Sequence, residues 1–326
     1  MTSSAAPPLV AVVGPTATGK SDLAVALART LGGEVVGADS RQVYHGMAIG
    51  TAQPGPALLA AVPHHLIGFL DPATPFGLAQ YLDLARAAIA GIRAPGRLPI
   101  VTGGTGQYVA ALVQSWSVPR VPPDPALRAT LSAEAERAGP QALHKRLAAI
   151  DQTAAATIHP HNVRRVIRAL EVILHSGRLF SAQRLRSQTT QGALIGLELP
   201  RETLYERIDR RVEAMYDAGL LAEVRRLAAA GYRRDLPSMG SIGYPEAWAA
   251  LAGEITPAEA IRRTQLATHR LARQQLTWFR RAALGINWLR ADRPDLVQAA
   301  LGLIEAAAGG TQDEGDDAVH QDARHR

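Results

Sequence analysis

The stretch from Leu9 to Leu27, LVAVVGPTATGKSDLAVAL, constrains the fold more than any other part of the chain. It joins a continuously apolar run to the pattern G-x-x-x-x-G-K-S, which leads into leucines and alanines at helical spacing. Between a strand and a helix, this pattern predicts a phosphate-binding P-loop, in which backbone N–H groups and a helix N-terminus meet phosphate oxygens. The alternative is a glycine turn that only closes a strand–helix unit.

Further apolar runs indicate that this unit is part of a larger α/β layer. Strand-like segments at 34–39, 98–104 and 193–199 alternate with helical patterns, such as the one at 81–92. Such alternation predicts a parallel sheet covered by helices. We therefore expect an α/β fold with a P-loop NTPase-like core.

The region between the third and fourth predicted strands differs from this core. Residues 119–188 begin with the proline-rich VPRVPPDPALR and continue as Ala- and Arg-rich helical stretches. We interpret them as an all-helical insertion that divides the core into 1–118 and 189–310, with helix expected up to about Trp288. The last segment, 311–326, is acidic and poor in apolar residues, which predicts a disordered tail.

Composition narrows the classes of function. The 326 residues include no cysteine, which excludes disulfides, thiolate nucleophiles and zinc modules with cysteine ligands. No apolar run reaches the roughly 18 residues of a membrane helix and no signal peptide is evident, so we expect a cytoplasmic protein with no membrane partner. Residues 1–310 carry a net charge of +9, and a basic body favours a polyanionic partner.

Asp39 is a candidate general base. It follows the second predicted strand, so we expect it at the carboxyl edge of the sheet, where the P-loop also opens. A carboxylate there can accept a proton from a nucleophile that attacks the group attached to the bound phosphate. The alternative is that Asp39 or Ser40 caps a helix whose first turn contains Gln42. The strand PIVTGG, in contrast, ends in Thr102-Gly103, where a P-loop NTPase normally has a Mg²⁺-binding acid.

Seven motifs follow one another along most of the chain. They are GPTATGKS (14–21), ADSRQVYHGMAIGTAQP (38–54), VTGGTGQYV (101–109), IHPHNVRRVIRALEV (158–172), RIDRRVEAMYDAGLLAEV (207–224), SMGSIGYPEAW (238–248) and THRLARQQLTWFR (268–280). In this order they resemble the tRNA dimethylallyltransferases, the isopentenyltransferases that modify an adenosine beside the anticodon. The resemblance covers residues 9 to 284.

The resemblance implies a reaction and a cofactor. The P-loop would hold the diphosphate of dimethylallyl diphosphate with Mg²⁺ at Ser21, and the diphosphate would leave as N6 of adenosine 37 attacks C1 of the dimethylallyl group. The residues matching Asp39 and Arg211 would be catalytic, the first as general base and the second as a cation that stabilises the diphosphate. From the sequence alone, Arg211 could instead pair with Glu206 or Glu213 on a solvated helix.

The resemblance and the placement of arginine together predict two sets of binding residues. The diphosphate would contact Gly14, Pro15, Thr16, Ala17, Thr18, Gly19, Lys20 and Ser21. The tRNA anticodon stem-loop would contact Asp39, Ser40, Arg41, Gln42, Thr105, Arg128, Arg164, Arg165, Ser241, Ile242, Gly243, Tyr244, Arg270 and Arg273. Such a polar set suits an adenine that is flipped out of a single-stranded loop, and we expect the enzyme to act as a monomer.

Two motifs depart from the family pattern. HPHNVRR at 159–165 stands where HPNDPQR is expected, so the Asp and Gln of that contact are replaced while Arg165 is retained. Pro245 follows SIGY, where the family commonly has a basic residue.

The placement of arginine also favours an RNA partner. Between Ile261 and Ala291 there are seven arginines and no acid, and most of them fall in one helical sector roughly 100° wide. A second cluster in the insertion consists of Arg164, Arg165, Arg168, Arg178, Arg184 and Arg186, with Glu171 among them. The alternative is a solvated charged face, but such faces normally interleave acids. We therefore predict contacts with a phosphate backbone.

Two other enzyme classes remain as alternatives. A small-molecule kinase of the P-loop type would use Lys20 and Ser21 to hold ATP. An isopentenyltransferase that acts on free adenine nucleotides would need neither the insertion nor the Arg-rich helix. A non-enzymatic RNA-binding module is a third alternative, which the P-loop disfavours.

Overall fold

The computed structural model of the protein describes residues 9–183 and 192–320, with side chains up to Ala308. In chain order the strands are β1 (Val10–Val13), β2 (Gly33–Gly37), β3 (His64–His65), β4 (Leu98–Gly103), β5 (Ala193–Glu198) and β6 (Asn287–Arg290). The helices are α1 (Lys20–Leu31), α2 (Pro56–Ala61), α3 (Leu78–Arg93), α4 (Gly106–Val113), α5 (Pro125–Ala138), α6 (Pro140–Ile150), α7 (Gln152–Thr157), α8 (Val163–Ser176), α9 (Phe180–Gln183), α10 (Arg201–Asp217), α11 (Leu220–Ala229), α12 (Tyr244–Leu251), α13 (Pro257–Arg281) and α14 (Leu296–His320).

The six strands form one sheet in the order β3-β2-β4-β1-β5-β6, and every neighbouring pair is parallel. β1 is buried along its whole length between β4 and β5, as its continuously apolar sequence predicts. Side chains of β1, β5 and α1 pack with Ala300 and Ile304 of α14 in one apolar core. The predicted α/β fold with a parallel sheet is confirmed.

The two edge strands were not predicted. β3 has two half-buried residues, and β6 has four residues that are exposed or half-buried. Neither therefore has the apolar run that identifies an interior strand. Helix was expected up to Trp288, but α13 ends at Arg281 and Trp288 lies in β6, where it pairs with Gly196.

Residues Gln114–Thr189 form a compact unit of their own, within which the predicted insertion of 119–188 falls. The described elements of this unit are the five helices α5 to α9. Its core is separate from that of the sheet and includes Leu143, Leu147 and Leu170, all fully buried. The rest of the described chain belongs to the other unit.

The last helix continues into the segment that the sequence predicts to be disordered. α14 runs to His320, so that 311–320 are helical here, while 321–326 lie outside the described residues. The helix begins in the apolar stretch that packs on the sheet, and adding residues to an existing helix is much less costly than starting one. Within the described chain, no helix is both long and apolar enough to cross a membrane.

Candidate active site

A cavity of about 750 Å³ opens at the carboxyl edge of the sheet. Its walls come from the P-loop, from the loops after β2 and β4, and from α10 and α13. The lining residues used below are Thr16, Lys20, Ser21, Asp39, Gln42, Thr105, Arg211, Ile242 and Gln275. All of them belong to the unit that contains the sheet.

Two glycines shape the P-loop between β1 and α1. Gly14 has φ 135°, and a side chain there would collide with the carbonyl of Leu197 on the neighbouring strand. Gly19 has φ 83° and precedes the first turn of α1, which contains Lys20 and Ser21. The loop therefore presents the N-terminus of a 12-residue helix to the cavity.

The predicted diphosphate residues do not all face the cavity. Thr18 is buried and its hydroxyl donates a hydrogen bond to the Pro15 carbonyl at 2.9 Å, so it holds the loop in shape. Thr16, Ala17, Gly19, Lys20 and Ser21 line the cavity. The cavity-facing residues of the loop are thus Thr16 and Ala17, together with 19–21 at its carboxyl end.

Lys20 lies at the cavity wall without a carboxylate in direct contact among the described residues. Its Nζ donates to the Pro15 carbonyl at 2.5 Å. Burial and the nearby Arg211 together lower the pKa of Lys20 to about 7, although Asp39 acts in the opposite direction. A negative charge placed beside Lys20 would raise this pKa again.

Arg211 reaches the P-loop from α10. Its Nη1 donates to the Thr16 hydroxyl at 3.1 Å. Burial lowers the pKa of Arg211, while Asp39 and Asp22 raise it. The guanidinium lines the cavity. Arg211 therefore does not form the alternative surface pair with Glu206 or Glu213.

Asp39 lies in the loop directly after β2, on the wall of the cavity. Its Oδ1 accepts a hydrogen bond from the Arg41 N–H at 2.9 Å. No helix begins at this point, so the alternative of a helix cap does not hold. The Thr105 hydroxyl accepts from the Ser40 N–H at 2.9 Å, and the Thr105 N–H donates to the Ala38 carbonyl at 3.2 Å. Thr105 therefore fixes the backbone on both sides of Asp39.

Gln42 and Arg41 bind protein groups in this structure. Nε2 of Gln42 donates to the carbonyls of Thr51 and Ala52, at 3.2 and 2.7 Å. Nη1 of Arg41 donates to the Pro237 carbonyl at 2.8 Å, although the side chain is exposed. Gln42 thus orders the loop at 51–53, which forms another wall of the cavity.

The side chain of Tyr244, in the segment predicted to contact tRNA, does not line the cavity. Tyr244 is fully buried and its hydroxyl donates to Glu223 at 2.7 Å, because the SIGY segment turns into α12 at this point. Ser241 is also buried and bonds to the Ser238 carbonyl, and Gly243 precedes the helix with φ 97°. Within this segment, Ser241 and Ile242 line the cavity, and Ile242 is the more accessible.

The arginines of α13 are less uniform than the sequence suggests. Arg262 and Arg263 both bind Glu259 in the first turn of the same helix. Arg273 donates to the Tyr205 hydroxyl at 3.0 Å, and Arg270 is exposed without an ion-pair partner among the described residues. The segment from Ile261 to Ala291 lacks acids of its own, but Glu259 and Asp292 just outside it pair with three of its arginines, and Glu198 of β5 pairs with Arg280.

The insertion unit holds the remaining predicted tRNA contacts. Arg128 makes two hydrogen bonds to the buried Glu171, at 2.7 and 2.8 Å, and Arg168 makes a third at 2.6 Å. These arginines neutralise an internal carboxylate, which sequence spacing could not reveal. Arg164 is exposed and Arg165 half-buried on α8. The predicted basic residues Arg184 and Arg186 lie outside the described residues.

Gln275 is a cavity residue that sequence reasoning missed. It lies in the QQLTWFR motif, and its amide contacts both the P-loop and the loop after β4. The sequence did offer one signal for this role. Gln275 is a polar residue on the apolar side of an amphipathic helix, close to Trp278 and Phe279.

Comparisons with known proteins are consistent with this geometry. The sequence profile of the family described as IPP transferase matches residues 42–282, and that of isopentenyl transferase matches 7–64. The chain belongs to the IPP transferase family. It is 53% identical over 298 residues to the tRNA dimethylallyltransferase of Roseiflexus sp. (strain RS-1), which covers 91% of this chain and 97% of that protein. It is 47% identical to that of Thermomicrobium roseum, over 96% of this chain and 95% of that protein.

Solved structures of IPP transferase relatives share the fold. A tRNA isopentenylpyrophosphate transferase from Bacillus halodurans is 40% identical with a TM-score of 0.68, covering 93% of this chain and 99% of that one. A eukaryotic dimethylallyltransferase acting on tRNA is 25% identical with a TM-score of 0.70, covering 87% of this chain and 73% of that one. The identification as a member of this enzyme family and the P-loop NTPase-like fold are therefore confirmed.

Proposed function

We propose that this protein transfers the dimethylallyl group of dimethylallyl diphosphate to N6 of the adenosine 3′-adjacent to the anticodon, adenosine 37 of tRNA, and releases diphosphate. The observation that carries this proposal is one cavity that combines a P-loop, two cations and a carboxylate. Lys20 and Arg211 lie at its phosphate-binding side, and Asp39 is near enough to raise the pKa of both. The relatives named above support the same activity.

The residues account for the bond changes of this reaction. The lone pair of N6 attacks C1 of the dimethylallyl group, the C1–O bond breaks, and both its electrons leave with the diphosphate. Negative charge that develops on the leaving group is stabilised by Lys20, Arg211 and the N-terminus of α1. The carboxylate of Asp39 accepts the proton that N6 loses.

The P-loop residues suit a leaving diphosphate that carries Mg²⁺. The hydroxyl of Ser21 lines the cavity, and oxygen is the donor that Mg²⁺ prefers. No cluster of three or more acids and histidines occurs among the described residues, which fits an ion held mainly by substrate oxygens. Bound at Ser21, Mg²⁺ would neutralise part of the charge on the diphosphate.

The RNA would approach from the open side of the cavity. Asp39, Ser40, Thr105 and Ile242 lie where a flipped-out adenine would enter, and Arg270 and Arg273 would contact phosphates. We place the remaining tRNA contacts at Arg164 and Arg165 of the insertion unit. We further propose that the enzyme acts in the cytoplasm, as a monomer.

A nucleoside digest tests the proposal. Unmodified tRNA is incubated with the protein, Mg²⁺ and dimethylallyl diphosphate, and the digest is searched for prenylated adenosine. RNA-dependent release of diphosphate is the expected companion result, while ADP formed from ATP without RNA would support a kinase instead. Competition separates the second alternative: a stem-loop RNA with adenosine 37 should inhibit tRNA prenylation, and AMP at the same concentration should not.

A further inference from the structure

Gln275 on α13 makes hydrogen bonds to two loops of the cavity at once. Its Oε1 accepts from the Thr16 N–H at 2.8 Å, and its Nε2 donates to the Gly104 carbonyl at 3.1 Å. Thr16 belongs to the P-loop, and Gly104 directly follows β4. A single side-chain amide therefore joins the loop that receives the diphosphate to the loop that lies beside the candidate base.

The connection continues from Gly104 to Asp39. The next residue, Thr105, holds the Ser40 N–H through its hydroxyl and the Ala38 carbonyl through its own N–H, at 2.9 and 3.2 Å. Asp39 lies between these two anchored residues. A continuous series of hydrogen bonds thus runs from the P-loop through Gln275 to the backbone on either side of the general base.

Glycines allow α13 to come this close. A Cβ on Gly104 would collide with Nε2 of Gln275, and a Cβ on Gly106 would collide with the ring of Trp278. Gln275 and Trp278 are three residues apart, so they lie on the same face of α13. The GGTG sequence is therefore fitted to this face of the helix, and the position of Gln275 is closely defined.

The P-loop end of the connection is held from a second direction. The Thr16 hydroxyl accepts a hydrogen bond from Arg211 of α10, while the Thr16 N–H binds Gln275 of α13. Thr16 is consequently fixed by two helices, one of which brings a cation for the leaving group. The amide of Gln275 is uncharged, so it orders the loop without changing the charge of the site.

We propose that Gln275 is a positioning residue that sets the separation between the leaving diphosphate and the Asp39 carboxylate. The inference rests on the proposed prenyl transfer, in which C1 and N6 must meet between these two groups. A misplacement of about 1 Å can cost about 10²-fold in rate. Gln275 itself touches neither the reacting carbon nor N6, and its effect is exerted through Thr16 and Gly104.

Two variants remove this connection from opposite sides. Gln275→Met keeps the length of the side chain and loses both hydrogen bonds. Gly104→Ala places a methyl group where the amide now lies, and the backbone at Gly104 does not have a positive φ, so alanine causes no backbone strain there. Gln274→Met is the matched control, because Gln274 is exposed on the same helix.

Hydrogen exchange measures the connection without any substrate. Peptides covering 14–18 and 102–106 should exchange about 10-fold faster in Gln275→Met and Gly104→Ala than in the wild type, and Gln274→Met should match the wild type. Unchanged exchange in both variants would overturn the proposal. This readout does not depend on the reaction, so a wild type that fails to prenylate tRNA would refute the proposed function and leave the exchange result to decide on Gln275.

Kinetics test the positioning role itself. Gln275→Met should lower kcat by about 10- to 100-fold, with KM for both substrates within about 3-fold of the wild type. Combined with Asp39→Ala, it should cost much less than the product of the two single effects, because the base it positions is gone. A loss confined to KM, or fully multiplicative effects in the double variant, would show that Gln275 has only a structural role.

Discussion

Asp39 and Lys20 line the same cavity, and a substitution at each tests its proposed role. Asp39→Asn keeps an oxygen for the Arg41 N–H but cannot accept a proton from N6. Turnover should fall by about 10²-fold or more, while affinity for tRNA stays within a few fold. Single-turnover kinetics and filter binding provide the two measurements. Equal losses of binding and rate would mean that Asp39 only shapes its loop.

The low pKa of Lys20 implies that the enzyme takes up a proton when it binds the diphosphate. Its pKa of about 7 in the free enzyme leaves most molecules neutral at pH 8, and a bound diphosphate raises this pKa again. At pH 8 dimethylallyl diphosphate is already fully ionised, since its last phosphate pKa, like that of other phosphate esters, is about 6. Binding should therefore take up close to one proton at pH 8, and progressively less as the pH falls below 7.

Calorimetry of dimethylallyl diphosphate binding without tRNA, in buffers with different ionisation enthalpies, measures this uptake. Lys20→Arg is the matched control, because an arginine stays charged over the whole range and should abolish the uptake. Heats that do not depend on the buffer at pH 8 in the wild type would contradict the low pKa of Lys20.

At the scale of elements, α13 predicts how the enzyme responds to salt. Arg270 and Arg273 are exposed on this helix, whereas Arg262 and Arg263 are tied to Glu259. The double variant Arg270→Ala/Arg273→Ala should weaken binding of a stem-loop RNA and flatten its salt dependence by about one unit for each lost phosphate contact. Arg262→Ala/Arg263→Ala serves as the control and should change the slope much less. Equal slopes in both double variants would exclude a special role for Arg270 and Arg273.

Much of the element structure follows from the sequence, and the exceptions have identifiable causes. β1, β2, β4 and β5 carry apolar runs because both sheet faces are covered, so these strands were predictable. β3 and β6 lie at the edges and lack that signal. The burial of Tyr244 and the pairing of Arg128 with Glu171 depend on residues 21 and 43 positions away, which local periodicity does not encode.

The candidate site shows the same division between local and distant information. The P-loop and Asp39 were predictable because each follows directly from a strand that ends at the cavity. The role of Gln275 was not predictable, since its bond to Thr16 spans 259 positions. Both of its partners are backbone groups, which every residue type has, so no sequence pattern marks them.

At the scale of the whole molecule, the two units have separate cores. We therefore expect a destabilising substitution in one unit to leave the stability of the other unchanged. Burial alone would raise the pKa of Glu171, but hydrogen bonds from Arg128, from the Asp124 amide and from Arg168 lower it to about 2. Glu171→Gln leaves two arginines without their carboxylate and should lower the free energy of unfolding of the insertion unit by about 2–3 kcal/mol. The loss is smaller than for a fully buried ion pair because both guanidiniums are partly exposed.

The effect of Glu171→Gln should be confined to the insertion unit. Hydrogen exchange should rise in peptides from 125–176, while the P-loop peptide stays at its wild-type rate. The carboxylate contributes stability above its ordinary pKa of about 4.5, and this is lost as the pH falls towards 2. The difference between variant and wild type should therefore shrink below about pH 4. Faster exchange throughout the chain would show that the two units unfold together.

α13 carries outward arginines and the inward Gln275 on a single rod of 25 residues, about 37 Å long. A tilt of one end of such a helix also moves the other end. If the arginines bind nucleic acid as proposed, their positions cannot change without moving Gln275 as well. Laboratory evolution towards a new RNA target should accordingly accept changes in the loops that flank this rod, and reject changes that rotate it.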